Sequence, residues 1–175
     1  STGGERPQKL DPDKLEHKYT ELQMHPGLDR GGLDAVRNTP DYNEVTDAGS
    51  RLGRVLFYDT RLSKNGSTSC SSCHLQKNAF ADPRALSRGF AGKKTHRNSM
   101  ALANLAYYEN GRFFWDERGT NLEEMVLEPI QDKIEMGMNL GDLVERLEQE
   151  ASYRWLFHRA YGDLSLIHIS EPTRP

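Results

Sequence analysis

Cys70-Ser-Ser-Cys73-His74 places two thiols about one helical turn apart, with an imidazole directly after the second. Haem c attachment needs this arrangement, because two thioethers meet the two porphyrin vinyls and the neighbouring imidazole reaches the iron. A redox dithiol and half of a zinc site also use paired thiols. A Cys-rich zinc site needs more than the 2 cysteines present, and a thioredoxin-type motif needs a βαβ setting that the pattern does not offer. The motif therefore predicts covalent haem on Cys70 and Cys73, with His74 as the proximal iron ligand. Thioether formation belongs outside the cytoplasm in haem c biology generally, so a bacterial source implies the periplasm.

Attachment leaves the reaction open, because the sixth iron position decides it. A Met or second His there makes an electron carrier, whereas an open position lets peroxide bind. The 5 methionines and 6 histidines are all candidates by composition. Met24, His25 and His168 lie in poorly patterned ends of the chain. Met100, Met125, Met136 and Met138 read as core filler, the commoner use of methionine.

The elements around the motif read as all-α with large loops. Residues 1–40 form an arm with little regular structure, broken by Pro and Gly, although Leu10 to Met24 has weak helical spacing. Val45, Ala48, Leu52, Val55 and Leu56 recur at helical spacing over residues 44–58, so one apolar stripe faces a core just before the motif. Residues 76–98 lack periodicity and predict a long loop over or beside the haem, with a basic cluster from Lys93 to Arg97. A short helix is expected over 99–108, capped by Asn98 or Ser99. A helix capped by Asn121 is expected to end near Pro129, and two more cover 140–150 and 153–161. Read from the residues alone, Glu135 is an exposed helix-end carboxylate and Trp115 belongs to a Phe113-Phe114-Trp115 core cluster. Asp116 and Arg118 form an ion pair that holds a loop.

Length and composition agree with one haem domain plus an arm. The 175 residues suffice for a core, and 35% hydrophobic against 28% charged residues lies toward the polar end of chains that fold. A mean hydropathy of −0.79 is consistent with that, and a large apolar cofactor would add core. A net charge of −3 gives no basic footprint for nucleic acid. No apolar run approaches the roughly 18 residues of a membrane span. The chain opens at Ser1 without a charged-then-apolar leader, and any signal peptide is expected to have been removed.

A longer pattern then emerges: Leu52-Gly-Arg-Val-Leu-Phe-Tyr-Asp59, Leu62-Ser63, the Cys70–His74 motif, Arg97-Asn98, Phe114-Trp-Asp-Glu-Arg118, Leu122, Pro129-Ile130 and Ile134-Glu-Met136. In order over residues 44–162, it resembles the N-terminal, peroxidatic haem domain of the bacterial di-haem cytochrome c peroxidases and the related MauG-type oxidases. The resemblance implies a cytochrome c-like all-α domain over 41–163. It also implies a two-domain enzyme that reduces hydrogen peroxide to water, with electrons entering through a second haem. The donor would be a small redox protein, a cytochrome c or a cupredoxin, docked on that second domain, and a homodimer is compatible with the family.

By the same resemblance, Glu135 matches the active-site carboxylate that moves a proton between the peroxide oxygens. Trp115 matches the tryptophan between the two haems, and Asn98 matches a calcium ligand at the domain junction. Two positions depart from the family pattern. Phe90 stands where many members carry the histidine that blocks the resting iron, with His96 as a substitute nearby, and Met125 replaces a pocket glutamine. Residues 164–175 match nothing in the pattern and read as a translated adapter or assembly artefact, so the natural protein is expected to continue into the second domain. Two other functions remain at this level: a mono-haem electron carrier with a low-spin iron, and a MauG-like oxidase acting on a protein or small organic substrate.

Overall fold

The computed structural model describes residues 18–20, 32, 36–108 and 110–162. Most of the expected arm and all of the expected tail lie outside these residues, as does most of the weak helical pattern over 10–24. Residues 37–40 run without regular structure. They are tied down by Asn38, whose N–H donates to Ala106 O at 2.9 Å and whose Nδ2 donates to Leu105 O at 2.8 Å.

Five α-helices and several single 3₁₀ turns make up the regular structure among the described residues, with isolated β-bridges and no strand. The first helix, α1 (Asp47–Tyr58), starts later than the apolar pattern suggests, because the Thr46 side chain accepts from the Gly49 N–H at 3.0 Å and caps it there. Val45 is left outside the helix and exposed. The helix expected to end near Pro129 is instead two, α2 (Leu122–Met125) and α3 (Leu127–Gln131), separated at Val126. Pro129 lies in the first turn of α3, where a backbone N–H has no helical partner to lose. The last two helices, α4 (Leu140–Glu148) and α5 (Ala151–Tyr161), match their apolar stripes. No helix forms over 99–108; only a 3₁₀ turn at Leu105–Tyr107 is present.

Burial explains this layout. Leu52 of α1, Leu62, Ile130 of α3, Leu143 and Leu147 of α4, and Tyr153, Leu156 and Phe157 of α5 close one core. Met136 and Met138 join it from the loop before α4, as core filler. The pairs Leu143/Leu147 and Tyr153/Phe157 are four residues apart, so each helix turns one stripe inward.

One polar knot pins this core to the chain segment that leads into the haem motif. Tyr153, almost wholly buried, donates its hydroxyl to Asp59 Oδ2, and Arg61 pairs with the same carboxylate at 2.6 Å. Arg146 of α4 adds bonds to Arg61 O at 2.8 Å and Ser63 O at 2.9 Å. Burial works against charge on Asp59, but the Arg61 guanidinium and the Tyr153 hydroxyl outweigh it and hold the carboxyl below the usual range. Tyr153→Phe is expected to cost about 1.5–3 kcal/mol, the typical worth of a hydrogen bond to a charged group. Denaturant unfolding of the haem-loaded chain measures it, and an unchanged midpoint would remove Tyr153 from the knot.

Candidate functional site

The motif lies in a 3₁₀ turn, Cys70–Ser72, whose geometry follows from its serines. Ser69 N–H donates to Ser72 Oγ at 3.1 Å, and the N–H groups of Cys73 and His74 both return to Cys70 O, at 3.2 and 2.9 Å. The turn therefore brings the two thiols and the imidazole to one place. Neither cysteine is in a disulfide. Burial pushes the Cys70 thiol up to about 11. Burial also raises Cys73, and the charges of Glu135 and Asp82 add to it against the Ser87 hydroxyl. A redox dithiol needs an attacking thiol shifted the other way, so the pair does not fit that chemistry.

His74 fits a metal ligand. Its Nδ1 lies 2.9 Å from Phe80 O and 3.0 Å from Met100 O. Two carbonyl acceptors require the proton on Nδ1, which leaves the Nε2 lone pair for iron. Ala79 (φ 53°) and Phe80 (φ 60°) both take left-handed backbone to turn the first of these carbonyls inward. Such a conformation costs roughly 1–2 kcal/mol per residue. Part of what holds it is the Phe80 ring, which meets Phe57 of α1 edge to face at 5.8 Å. Asn78, in the turn directly after His74, buries an Nδ2 donor with no partner, as does Arg51 with its Nε. Buried donors of this kind suit an acidic group from outside the chain, such as a haem propionate.

The loop expected over 76–98 forms a strap behind the motif, anchored by Asp82. The Asp82 carboxylate is fully buried and pairs with Arg84 at 2.7 Å, and it accepts from Ser87 Oγ at 2.6 Å. Arg84 Nη2 reaches on to Ser72 O, between the two cysteines, at 3.3 Å. The Arg84 guanidinium, joined by the Ser87 hydroxyl, overcomes the burial penalty and holds Asp82 far below the usual carboxylate range. With its folded value depressed, Asp82 lends stability above about pH 4 that disappears as pH falls through the folded value. Acid unfolding followed by the far-UV signal should therefore begin at higher pH in Asp82→Asn than in the parent. Sequence reading passed over Asp82. The available signal was Asp82-Pro-Arg84, an Asx turn in which Arg84 N–H donates to Asp82 Oδ1 at 2.9 Å.

Glu135 is neither exposed nor at a helix end. It lies half-buried in the turn between α3 and α4, with its N–H on Asp132 Oδ1 at 2.9 Å. Burial raises its carboxyl, Asp132 and Glu128 add to the shift, and Arg118 and His96 oppose it. Its charge also acts on the Cys73 thiol, so the carboxylate lies within electrostatic reach of the motif. The strap docks on this turn through Phe90, whose N–H donates to Glu135 O at 2.9 Å. Phe90 O accepts from Asn65 Nδ2 at 2.9 Å and Ser67 Oγ at 3.1 Å, and the Phe90 ring lies over Gly137.

Trp115 corrects the expected aromatic cluster. Phe113 is buried, but Trp115 is 60% exposed, with Nε1 donating to Asn98 O at 2.9 Å. Asn98 caps no helix; its Nδ2 bonds Asp82 O at 3.2 Å and Arg84 O at 2.7 Å. The Asp116–Arg118 pair does hold a loop, at 2.7 Å, and Arg118 continues to Glu128 of α3 at 2.9 Å. His96 is exposed and lines an open cleft of about 540 Å³ with Glu128, Gln131, Asp132, Lys133 and Ile134. Met125 is half-buried.

The family model described as di-haem cytochrome c peroxidase matches residues 47–173, which spans the motif, the strap and Glu135. The chain belongs to this family. Among relatives of the di-haem peroxidase family, the methylamine utilization protein MauG of Methylophilus methylotrophus is 35% identical over 127 residues, covering 73% of this chain and 37% of the relative. Cytochrome-c peroxidase IdrP1 of Denitromonas iodatirespirans is 45% identical over 84 residues, 48% of this chain and 22% of the relative. A solved MauG-like protein associated with microbial copper homeostasis superposes with a TM-score of 0.66 at 38% identity, covering 76% of this chain and 40% of that one. The chain thus spans well under half the length of these relatives. The cytochrome c-like all-α fold and haem c are those of the di-haem peroxidase family, and no helix among the described residues is long and apolar enough to cross a membrane.

Proposed function

We propose that residues 41–163 are the peroxidatic haem domain of a longer di-haem enzyme that reduces hydrogen peroxide to water, with residues 1–40 as an arm. Cys70 and Cys73 would carry the haem, and His74, with its Nε2 lone pair left free, would hold the iron. The bound haem supplies the redox chemistry, and the chain's own residues hold and move the protons. The observation that carries this reading is Glu135, a half-buried carboxylate in the turn on which the strap docks through Phe90 N–H at 2.9 Å. It would take a proton from one peroxide oxygen and return it to the other, which lets the O–O bond break unevenly.

Phe90 supports an open iron position. A phenyl ring cannot bind iron, and three hydrogen bonds to its backbone, from Phe90 N–H to Glu135 O and from the Asn65 and Ser67 side chains to Phe90 O, hold this residue in place. Trp115, exposed beside Asn98, would pass electrons from a second haem, itself reduced by a small cytochrome c or cupredoxin in the periplasm. Asn98 Oδ1 would serve a calcium ion at the same junction, since its hydrogen bonds use only Nδ2. The relatives named methylamine utilization protein MauG support a second reading, in which the domain is a MauG-like oxidase acting on an organic or protein substrate.

Ferric absorption and EPR spectra of the haem-loaded chain test the proposal, followed by peroxide titration. A high-spin signal that peroxide changes supports the open peroxidatic site. A low-spin signal indifferent to peroxide overturns it in favour of an electron carrier. The oxidase reading predicts that the same peroxide-treated protein is reduced faster by an organic donor than by a reduced cytochrome c or cupredoxin.

A further inference from the structure

One carbonyl that accepts from His74 Nδ1 lies in the strap, at Phe80, and the other lies at Met100, two residues past the end of the strap. The two ends of the strap are tied together by one buried side chain. Asp82, two residues past Phe80, accepts from Ser87 Oγ at 2.6 Å, and Ser87 Oγ pairs with Ser99 Oγ at 2.8 Å. Asp82 N–H also donates to Ser99 O at 3.4 Å, and Ser99 directly precedes Met100. Asn98 Nδ2 closes the knot on Asp82 O at 3.2 Å. The same carboxylate, through Arg84, reaches the turn between the cysteines at Ser72 O.

We infer that Asp82 is a positioning residue for the proximal histidine: through Ser87 and Ser99 it holds the Phe80 and Met100 carbonyls on His74 Nδ1 and thereby sets the haem reduction potential. The inference rests on the reading of His74 as iron ligand and is independent of the reaction with peroxide. Two acceptors on the Nδ1 proton draw it away from the ring and make Nε2 the stronger donor, which favours ferric over ferrous iron. Loosening the knot weakens that donation, so the potential rises.

Redox titration of the haem-loaded chain tests this with three variants. Asp82→Asn removes the knot together with a buried negative charge, and both effects raise the potential. Ser87→Ala removes the link between Asp82 and Ser99 without changing charge, so it separates the two effects. It is expected to shift the ferric–ferrous equilibrium about threefold to tenfold toward ferrous iron, where tenfold is about 59 mV for one electron. Tyr153→Phe loosens the other polar knot, at Asp59, without changing charge and is expected to leave the potential unchanged. An unaltered potential in Ser87→Ala overturns the inference, even if Asp82→Asn fails to fold. An equal shift in Tyr153→Phe overturns it too, since general loosening would then explain both. A pyridine haemochrome spectrum, taken first, reports attachment separately, and a chain that takes no haem on Cys70 and Cys73 overturns the haem reading and this inference with it.

Discussion

Glu135→Gln is expected to slow the reaction of the haem-loaded chain with hydrogen peroxide by about 10²–10⁴-fold, the usual worth of a positioned general acid–base group. Gln keeps the size and the backbone bonds of Glu135 but cannot accept and return a proton. Stopped-flow absorbance of the haem at several peroxide concentrations measures the rate constant. The pH profile adds a second reading. Burial raises the Glu135 carboxyl above its ordinary value, so the parent should lose rate as pH falls through that raised value, where the carboxylate takes up a proton and can no longer act as base. The Gln variant should lack this acidic limb. A variant with the parent's rate and the parent's acidic limb would remove Glu135 from the chemistry and leave it a buried loop carboxylate.

Gly89→Ala should damage stability and reactivity together. A Cβ at residue 89 would lie 1.6 Å from Ile134 O, 2.6 Å from Ile134 C and 2.9 Å from Glu135 O. These are backbone atoms of the turn that carries Glu135, so no side-chain rotation relieves the contact. The strap must lift off, and the adjacent bond from Phe90 N–H to Glu135 O is strained or lost. Overpacking of this kind costs roughly 1–3 kcal/mol or more, and the lost hydrogen bond adds about 1 kcal/mol. A displacement of about 1 Å at the carboxylate is enough to cost about 10²-fold in rate. Denaturant unfolding and the peroxide rate constant measure the two effects. If the variant matches the parent in both, strap and turn are not in the contact that positions Glu135. Gly137 is the partner position: at φ 62° a side chain is strained there, and it would displace the Phe90 ring.

The residues proposed to bind the haem were legible in the chain because their chemistry is local. Two thiols and an imidazole within five positions need only one turn to meet, and Ser69 and Ser72 build that turn from neighbouring atoms. The helices α1, α4 and α5 were legible for a related reason: an apolar residue every third or fourth position requires a buried stripe, whatever it packs against. The order of Leu52–Asp59, the haem motif and Ile134–Met136 carried the family.

Other features depended on what the chain meets far along its length. Glu135 reads as exposed in sequence because nothing local buries it. The fold instead docks the strap on the backbone of its turn, a close approach possible because residue 89 has no Cβ. Trp115 reads as core because it follows Phe113 and Phe114, yet Phe114 takes left-handed backbone at φ 69° and the chain turns Trp115 outward onto Asn98 O. Likewise no pattern links Asp82 to His74, because the connection runs through Ser87, Ser99 and two backbone carbonyls that only the folded strap brings together. Sequence by itself determined which cofactor this protein holds and which helices bury its core, since both follow from spacing along the chain. Tertiary structure alone decided how the histidine is oriented and where the carboxylate stands, since both depend on backbone atoms whose partners lie distant in sequence.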